Sequence, residues 1–261
     1  MQISLIITTY NRPEALLLVL RSVEHQRTVP FEIIIADDGS NEKTNNVISS
    51  FKASSSLNII HSFQSDKGFR VARSRNKAIA LANGEYIVLI DGDMILHHNF
   101  IYDHEKNAKF GHFIQGTRVL ISQSKVNELF ETNSLGINFF TSGLMNRKNA
   151  IHSNLLSFIF SKNKNFLTGI KTCNVAFYKD DCLSVNGFNN KFKGWGNEDS
   201  EFFARLMNKG IIRKTLRFNA IQYHLWHNEA SKASLLENEI LLNKTINDQL
   251  QWCEMGIDEF L

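Results

Sequence analysis

Four short apolar runs, rich in β-branched residues, alternate with helical stretches over the first hundred residues of the chain. They read ISLIITT at residues 3–9, FEIIIADD at 31–38, LNIIHSF at 57–63 and EYIVLID at 85–91. Continuous apolar strands are typical of a sheet that is buried on both faces, and strands that alternate with helices indicate parallel pairing. The pattern therefore predicts an α/β fold with a mostly parallel sheet flanked by helices.

Helix signals fill the gaps between these runs. Asn11 is placed to cap the first helix, with Pro13 in its first turn, and a second helix is predicted over residues 41–51. The stretch FRVARSRNKAIALANG predicts a third helix, which Gly84 closes at its carboxyl end.

The second half of the chain is less regular. One strand is predicted for HFIQGTRVLIS at residues 112–122 and another for TCNVAFY at 172–178. A helix is predicted over residues 197–210, and a C-terminal helix from about Ser231 to Cys253. The expected apolar face of that last helix carries Leu235, Leu242, Ile246, Leu250 and Cys253. Because no low-complexity segment or linker marks a boundary, one continuous domain with a C-terminal subdomain is expected.

Composition argues against several classes of protein. The chain has 261 residues, of which 43% are hydrophobic and 21% charged, which is typical of a globular protein. A net charge of +3, without basic residues interleaved with aromatics, argues against a nucleic-acid partner. No apolar run approaches the roughly 18 residues of a membrane helix. Since the amino terminus lacks signal-peptide features and the three cysteines form no paired pattern, a cytoplasmic location is expected.

Polar side chains follow three of the apolar runs where the strands end. They are Thr8-Thr9-Tyr10-Asn11, Asp37-Asp38-Gly39-Ser40 and Asp91-Gly92-Asp93. Because ligands of open α/β sheets bind at the carboxyl ends of the strands, we expect these clusters to meet at one ligand-binding edge.

The Asp91-Gly92-Asp93 cluster has the chemistry of a metal site. Strand alternation places residues 91 and 93 on the same side, and Gly92 leaves room for a ligand beside the backbone. Carboxylate oxygens suit Mg²⁺ or Mn²⁺, ions that commonly bridge phosphates. An acidic turn after a strand is the alternative interpretation.

Two further groups admit two interpretations each. A carboxylate of the 37–40 turn suits a base or a ribose, with an Asx turn as the alternative. Arg70, Arg73 and Arg75 suit a diphosphate, with a solvated helix face as the alternative.

The stretch GWGNED at residues 194–199 begins the helix of residues 197–210. As a helix start it is favourable, because Asn197 can cap the helix and acidic side chains suit its positive end. The helix dipole is also expected to lower the pKa of Asp199 and keep it ionised. The same carboxylates fit an active site, and these residues alone leave both interpretations open.

Together these stretches resemble a known family. Residues 1–105, through IITTYNRPEALLLVLRSV, IIIADDGS and GFRVARSRNKAIALANGEYIVLIDGDM, resemble family 2 glycosyltransferases of the GT-A fold. The stretch NVAFYKDDCLSVNGFNNKFKGWGNEDSEFFARL resembles the C-terminal catalytic segment of β-1,4-galactosyltransferases and chondroitin-polymerase-like enzymes. The specific part of this match is the order D-x-D, then N-G-F, then G-W-G-x-E-D.

The resemblance implies a role for each matching residue. The nucleotide-sugar would contact Thr9, Tyr10, Arg12, Asp38, Arg75, Asp91 and Trp195. Asp93 and His227 would hold a divalent cation, Mn²⁺ or Mg²⁺, with His224 as the alternative histidine. Asp199 would act as the general base, and Glu198 would hold the acceptor sugar.

The resemblance also divides the chain by role. Residues 1–105 would form the nucleotide-sugar-binding half and residues 106–230 the acceptor and catalytic half of the same GT-A domain. Residues 231–261 would form a C-terminal helix.

The function implied is that of an inverting, metal-dependent glycosyltransferase. It would move a hexose or N-acetylhexosamine from a UDP-sugar to a hydroxyl of a glycan or glycolipid acceptor, in bacterial surface polysaccharide or lipopolysaccharide synthesis. A sugar nucleotidyltransferase and a non-catalytic carbohydrate-binding module are the alternatives. Cys173-Asn174 and Lys171-Thr172 depart from the galactosyltransferase pattern, so the donor sugar stays open.

The run LLSFIF at residues 155–160 is apolar and has basic residues on both sides. These are Arg147, Lys148, Lys162 and Lys164. A core helix with basic flanks is expected, and a peripheral contact with the inner face of the cell membrane is the alternative.

Overall fold

The computed structural model describes residues 1–228 and 233–261. Its strands are β1 Ile3–Thr9, β2 Glu32–Asp37, β3 Ile59–Phe63, β4 Tyr86–Asp91, β5 Met94–Leu96, β6 His112–Gln115, β7 Thr117–Ile121, β8 Leu144–Met145, β9 Lys162–Lys164, β10 Asn174–Tyr178, β11 Ile212–Thr215 and β12 Ile221–His224. Its α-helices are α1 Pro13–Glu24, α2 Glu42–Ser54, α3 Val71–Leu81, α4 Phe100–Asn107, α5 Gln123–Thr132, α6 Asn154–Phe160, α7 Lys179–Ser184, α8 Glu198–Asn208 and α9 Leu235–Asn247. Short 3₁₀ helices cover Arg147–Ala150 and Ile257–Phe260.

Eight strands form the central sheet, in the order β3-β2-β1-β4-β10-β6-β11-β9. The first four run parallel, as predicted. Strand β10 is antiparallel to both β4 and β6, and it joins the two halves of the chain in one sheet. A smaller sheet in the order β5-β12-β7-β8 lies beside it.

Neighbouring residues of β1 enter different hydrophobic cores. Leu5 and Ile7 pack in a core that includes Leu16 of α1. Ile6 packs in a second core that includes Phe202 of α8. The sheet is therefore covered on both faces, which confirms the α/β architecture predicted from the continuous apolar strands.

Residues 112–122, predicted as one strand, form two strands in different sheets. Strand β6 belongs to the central sheet and β7 to the smaller one, with Gly116 between them. A Cβ atom on Gly116 would lie 2.4 Å from Oδ1 of Asn174, so the crossing requires glycine. The prediction was wrong because a one-residue change of direction leaves the apolar pattern unbroken.

Two predicted helix ends are also wrong. Asn11 does not cap α1: it has a left-handed φ of 50°, and its Oδ1 accepts a hydrogen bond of 2.8 Å from the Asn41 amide at the start of α2. Gly84 does not close α3, which ends at Leu81. Instead, the Gly84 amide donates to Ser4 Oγ at 2.9 Å, and this contact seats the chain as it enters β4.

The C-terminal helix is shorter than predicted and buries polar side chains. Helix α9 ends at Asn247, and the predicted start near Ser231 lies outside the described residues. Asn238 donates to a backbone carbonyl, and Thr245 donates to Glu201 of α8 at 3.0 Å. Ile246, expected on the buried face, is 41% exposed. Specific hydrogen bonds rather than an apolar stripe therefore set the orientation of this helix.

Helix α6 is a surface helix, so the core-helix interpretation of LLSFIF is wrong. Phe158 is 87% exposed and Leu155 is 70% exposed, whereas Ser157 is the buried residue of the helix. With only seven residues, the helix turns one polar side chain inward and leaves its apolar ones outside. In the described parts of the chain, no helix combines the length and apolarity that crossing a membrane requires.

Candidate active site

A cavity of about 510 Å³ opens at the carboxyl ends of β1 and β4. It brings together residues that are widely separated in the chain. Arg70 and Arg73 do not line it, but all the residues to which the resemblance gives a role do. They are Thr9, Tyr10, Arg12, Asp38, Arg75, Asp91, Asp93, Trp195, Glu198, Asp199, His224 and His227. This location follows the rule for open α/β sheets, in which ligands bind beyond the strand ends.

The ends of β1 and β4 are joined by hydrogen bonds at the floor of the cavity. Thr8 and Asp91 are register partners in the parallel pair, and Thr8 Oγ1 donates to Asp91 Oδ1 at 3.0 Å. The Gly92 amide donates to the Thr8 carbonyl at 2.6 Å. A Cβ atom on Gly92 would come within 2.9 Å of that carbonyl, so glycine allows the two strands to end this close together.

Arg75 and Asn76 of α3 connect the two halves of the site. The buried Arg75 guanidinium donates to Asp91 at 3.3 Å and to Glu198 at 3.0 Å. Asn76 donates to the Phe188 carbonyl at 2.6 Å and accepts from the Phe188 amide at 2.7 Å. Two adjacent residues of one helix therefore hold both the N-G-F turn and the first carboxylate of α8 against the D-x-D strand end.

Asp93, His224 and His227 form a cluster that is able to hold a metal ion. One ligand atom from each lies within 4.8 Å of the others, and Asp93 Oδ2 is 3.3 Å from Nε2 of His227 and 3.6 Å from Nε2 of His224. Oδ1 of Asp93 is buried and accepts no hydrogen bond from the described residues. An unsatisfied buried carboxylate oxygen beside two imidazoles fits a divalent cation.

The electrostatics of the cluster favour an ionised Asp93. Burial opposes the charge, but the neighbouring His224 and the Arg12 guanidinium, 2.7 Å from Oδ2, outweigh burial and lower the pKa of Asp93. Asp91 differs, because burial and the charge of Asp93 raise its pKa more than Arg75 lowers it. Two carboxylates this close are thus held at different proton affinities.

Asp199 is in the first turn of α8, beside Glu198. Burial, and then the charge of Glu198, raise the pKa of Asp199 to about 6, although Arg75 and the amides of Ser200 and Thr172 act in the opposite direction. The expectation that the helix dipole would lower this pKa is wrong, because burial outweighs the dipole. A carboxyl group with a pKa near 6 is well matched to proton transfer at neutral pH.

Asn197 precedes α8 at its N-cap position but does not cap the helix as expected. Its backbone is left-handed, with φ of 69°, and its side chain makes no capping hydrogen bond. The preceding Gly194 and Gly196 also have positive φ, and Trp195 between them is 42% exposed at the cavity rim. Three of the four residues before α8 therefore have positive φ, and no side chain caps the helix there.

The two aspartates of the acidic turn after β2 make different contacts. Asp37 makes the Asx-type turn, accepting from the Ser40 amide at 2.8 Å, and it also pairs with His61. Asp38 lines the cavity and accepts from the Arg70 amide at 2.7 Å and from the side chain of Gln64. Asp37 therefore makes the Asx turn, whereas a contact of Asp38 with a base or ribose stays a prediction.

Several cavity residues were not predicted as site residues. They are Phe69, Val71, Met94, Arg118, Lys171, Thr172 and Cys173. For Lys171 to Cys173, the sequence shows only a departure from the galactosyltransferase pattern. Arg118 carries no recognisable signal, because its place in the cavity depends on the change of sheet at Gly116.

Comparison with known families gives two overlapping matches. The model described as glycosyl transferase family 2 matches residues 4–179, which is more than half of the chain. The model described as the N-terminal domain of galactosyltransferase matches residues 156–228.

Characterised relatives align along most of the chain. It is 28% identical to the chondroitin synthase of Escherichia coli in an alignment of 244 positions that covers 85% of this chain and 34% of that protein. It is 29% identical to the hyaluronan synthase of Pasteurella multocida, covering 82% of this chain and 24% of that protein. It is 27% identical to a validoxylamine A glucosyltransferase of Streptomyces hygroscopicus, covering 90% of this chain and 55% of that protein. The chain thus spans about a third or a quarter of the two polysaccharide synthases.

Solved structures share the fold. The crystal structure of S. aureus TarS superposes on the whole chain and 41% of TarS, with a TM-score of 0.63 and 16% identity. A shorter TarS fragment solved in complex with UDP matches with a TM-score of 0.63 and 15% identity, covering 68% of that chain. At these identities the likeness establishes the fold, which is of the GT-A type.

Proposed function

Because the chain belongs to glycosyl transferase family 2, we propose that this cavity transfers a hexose or N-acetylhexosamine from a UDP-sugar to an acceptor hydroxyl, with inversion and with a bound divalent cation. Family membership makes the protein a glycosyltransferase and decides against a sugar nucleotidyltransferase. The observation that carries the proposal is the Arg75 bridge, which places the carboxylates of α8 beside the D-x-D strand end.

Asp199 is the proposed general base. A hydroxyl that attacks the anomeric carbon must lose its proton, and a carboxylate with a pKa near 6 is ionised at pH 7 and able to accept it. Glu198 is proposed to hold the acceptor sugar, in an orientation set by its ion pair with Arg75. One base acting in a single displacement inverts the anomeric centre, so an α-linked donor gives a β-glycoside.

Asp93 and His227 are proposed to hold Mn²⁺, with His224 as the alternative or additional imidazole. When bound, such an ion neutralises the negative charge that develops on a diphosphate leaving group. In the structure, Arg12 pairs with Asp93 and therefore lies beside the proposed metal site. It therefore supplies a second positive charge close to where the diphosphate is expected.

The nucleotide is proposed to bind at the β1 and β2 strand ends. Tyr10, 47% exposed, offers an aromatic face there, and Asp38 and Thr9 offer polar groups for a base or ribose. Uridine is proposed because the TarS fragment, which shares the fold, was solved in complex with UDP. Asp91 and Trp195 complete the proposed donor site.

A glycan or glycolipid is the proposed acceptor, in the synthesis of a bacterial surface polysaccharide or lipopolysaccharide. Its support is the likeness to a chondroitin synthase and a hyaluronan synthase.

A peripheral membrane contact through the exposed α6 stays a prediction. Co-sedimentation with anionic vesicles tests it. Equal amounts of the Phe158→Ser variant and of the unchanged protein in the vesicle pellet would count against it.

The proposed function is tested by incubating the protein with a panel of UDP-sugars and Mn²⁺ and measuring release of UDP. We expect release from at least one donor, stimulated by an acceptor and stopped by EDTA. Release that EDTA leaves unchanged would contradict the metal dependence. No release from any UDP-sugar would contradict the proposed donor class.

A further inference from the structure

On the basis of the function proposed above, we infer that residues 253–260 position the acceptor half of the active site by holding the N-G-F turn of residues 186–188 in place. These residues, called the clamp segment below, end in the short 3₁₀ helix Ile257–Phe260. They do not line the cavity, and they lie outside both family models, which match residues 4–179 and 156–228. Family membership alone therefore gives the clamp segment no role.

Asn186, the first residue of the turn, directs its side chain and its carbonyl group to the clamp segment. It is fully buried, and its backbone is left-handed, with φ of 64°. Its side chain donates to the Cys253 carbonyl at 2.8 Å and accepts from the Asp258 amide at 3.0 Å. Its carbonyl accepts from the Ile257 amide at 3.0 Å. One buried asparagine thus joins the turn to three residues of the clamp segment.

Gly256 and Asn190 bring the clamp segment into close contact with the turn and the residues that follow it. A Cβ atom on Gly256 would overlap the Asn186 carbonyl oxygen, so only glycine allows this approach. The Asn190 amide donates to the Met255 carbonyl at 2.7 Å, and the Asn190 side chain donates to the Gly256 carbonyl at 2.9 Å. The chain is therefore fixed to the clamp segment at residue 186 and again at residue 190.

Helix α3 contacts the same turn through the residues that connect the two halves of the site. The side chain of Asn76 donates to Asn190 at 2.9 Å, in addition to its two hydrogen bonds with the Phe188 backbone. The Arg75 guanidinium lies 5.5 Å from the centroid of the Phe188 ring. Ile257 of the clamp segment packs in the same hydrophobic core as Phe188. The turn is therefore held jointly by α3 and by the clamp segment.

The position of the turn affects where α8 begins relative to Arg75. Residues 189–197 lead from the turn to Glu198, the first residue of α8, which accepts from Arg75 at 3.0 Å. Arg75 belongs to α3, which is anchored in the core through Ala78 and Ile79. A displaced turn would move the carboxylates of α8 away from Arg75, whereas Arg75 would stay beside Asp91. The clamp segment is therefore expected to act on the acceptor half and not on the donor half.

Two variants of the full chain test the inference. Asn186→Gly keeps the left-handed backbone, which glycine tolerates, and removes the side-chain hydrogen bonds to the clamp segment. Gly256→Ala forces the clamp segment away from the turn. Asn133→Gly is the matched control, because Asn133 is also left-handed, with φ of 51°, but is exposed and does not line the cavity.

In both variants we expect kcat for sugar transfer to fall by about tenfold to 100-fold, since a misplacement of about 1 Å at a reacting centre has effects of this size. Affinity for UDP, measured by calorimetry with Mn²⁺, is expected to stay unchanged. The charge of Arg75 lowers the pKa of Asp199, so its separation from α8 is expected to move the acidic limb of the kcat profile above pH 6. The control is expected to keep the rate and the pH profile of the unchanged protein.

Two outcomes would overturn the inference. One is a lower melting temperature with unchanged kcat and pH profile, because the clamp segment would then serve stability alone. The other is a loss of UDP affinity in Asn186→Gly, which decides the matter if Gly256→Ala does not fold. If the unchanged protein turns over no donor, the proposed function has failed separately. Hydrogen–deuterium exchange then decides the inference: we expect faster exchange in residues 186–199 of the variants but not in residues 71–81, and unchanged exchange in residues 186–199 would contradict it.

Discussion

Replacing Asp199 with asparagine is expected to lower kcat for sugar transfer by about 100- to 10,000-fold, the range over which a positioned general base contributes. Asparagine has nearly the same shape and keeps the contacts with the amides of Ser200 and Thr172, but it cannot accept the hydroxyl proton. Binding of UDP is expected to change little, because Asp199 is proposed to act on the acceptor. Initial rates of UDP release and calorimetric titration with UDP measure the two effects.

Asp180→Asn is the matched control for this variant. Asp180 also lies in the first turn of a helix, α7, but it is exposed and does not line the cavity. Its replacement is expected to leave kcat unchanged. A normal rate in Asp199→Asn would rule out the base assignment, and loss of UDP affinity would move Asp199 to the donor site.

The pH dependence of kcat for the unchanged enzyme is a second test of Asp199 as the general base. The pKa of Asp199 is raised from 3.8 to about 6, so the carboxylate becomes protonated as the pH falls through about 6. The protonated form cannot accept a proton, and kcat is therefore expected to fall on the acidic side of pH 6. A rate that stays level down to pH 4.5 would contradict the assignment.

Replacing Asp93 with asparagine is expected to abolish Mn²⁺-dependent transfer. The ion is proposed to contribute several kcal/mol of charge stabilisation, so its loss corresponds to a rate reduction of at least about 100-fold. The Asp93 carboxylate is the anionic member of the cluster, and two imidazoles alone give a weaker site. Titration of Mn²⁺ followed by electron paramagnetic resonance measures binding directly, independently of turnover.

Single replacements of the two histidines distinguish them as ligands. His227→Gln is expected to weaken Mn²⁺ binding, and a similar effect of His224→Gln would show that both imidazoles bind. His25→Gln is the control, since His25 is exposed and lies in the turn after α1, away from the cavity. Unchanged Mn²⁺ affinity in both Asp93→Asn and His227→Gln would place the metal elsewhere.

The parallel half of the sheet was predictable because its strands are continuous apolar runs with polar residues at their ends. Strand direction alone then brings Thr9, Asp38 and Asp91 to one edge. The G-W-G-x-E-D motif predicted Glu198 and Asp199 as site residues. It gave no information on their distance from Asp91. That distance depends on Arg75, whose partners could not be read from its position in a helix.

Other features depend on tertiary context that leaves no local signal. Gly116 redirects the chain between two sheets without interrupting the apolar pattern, and this change brings Arg118 to the cavity. The raised pKa of Asp199 results from burial by distant segments, whereas its neighbours in sequence indicate only a helix start. Helix α6 has a core-like composition, but its seven residues pack only Ser157 inward.

The proposed mechanism of sugar transfer is a single displacement assisted by one base. The most direct measurement is the anomeric configuration of the glycosidic bond that the unchanged enzyme forms from an α-linked UDP-sugar, determined by proton NMR. We expect a β-linked product throughout the reaction. An α-linked product would show retention of configuration and would contradict both the single displacement and the role proposed for Asp199.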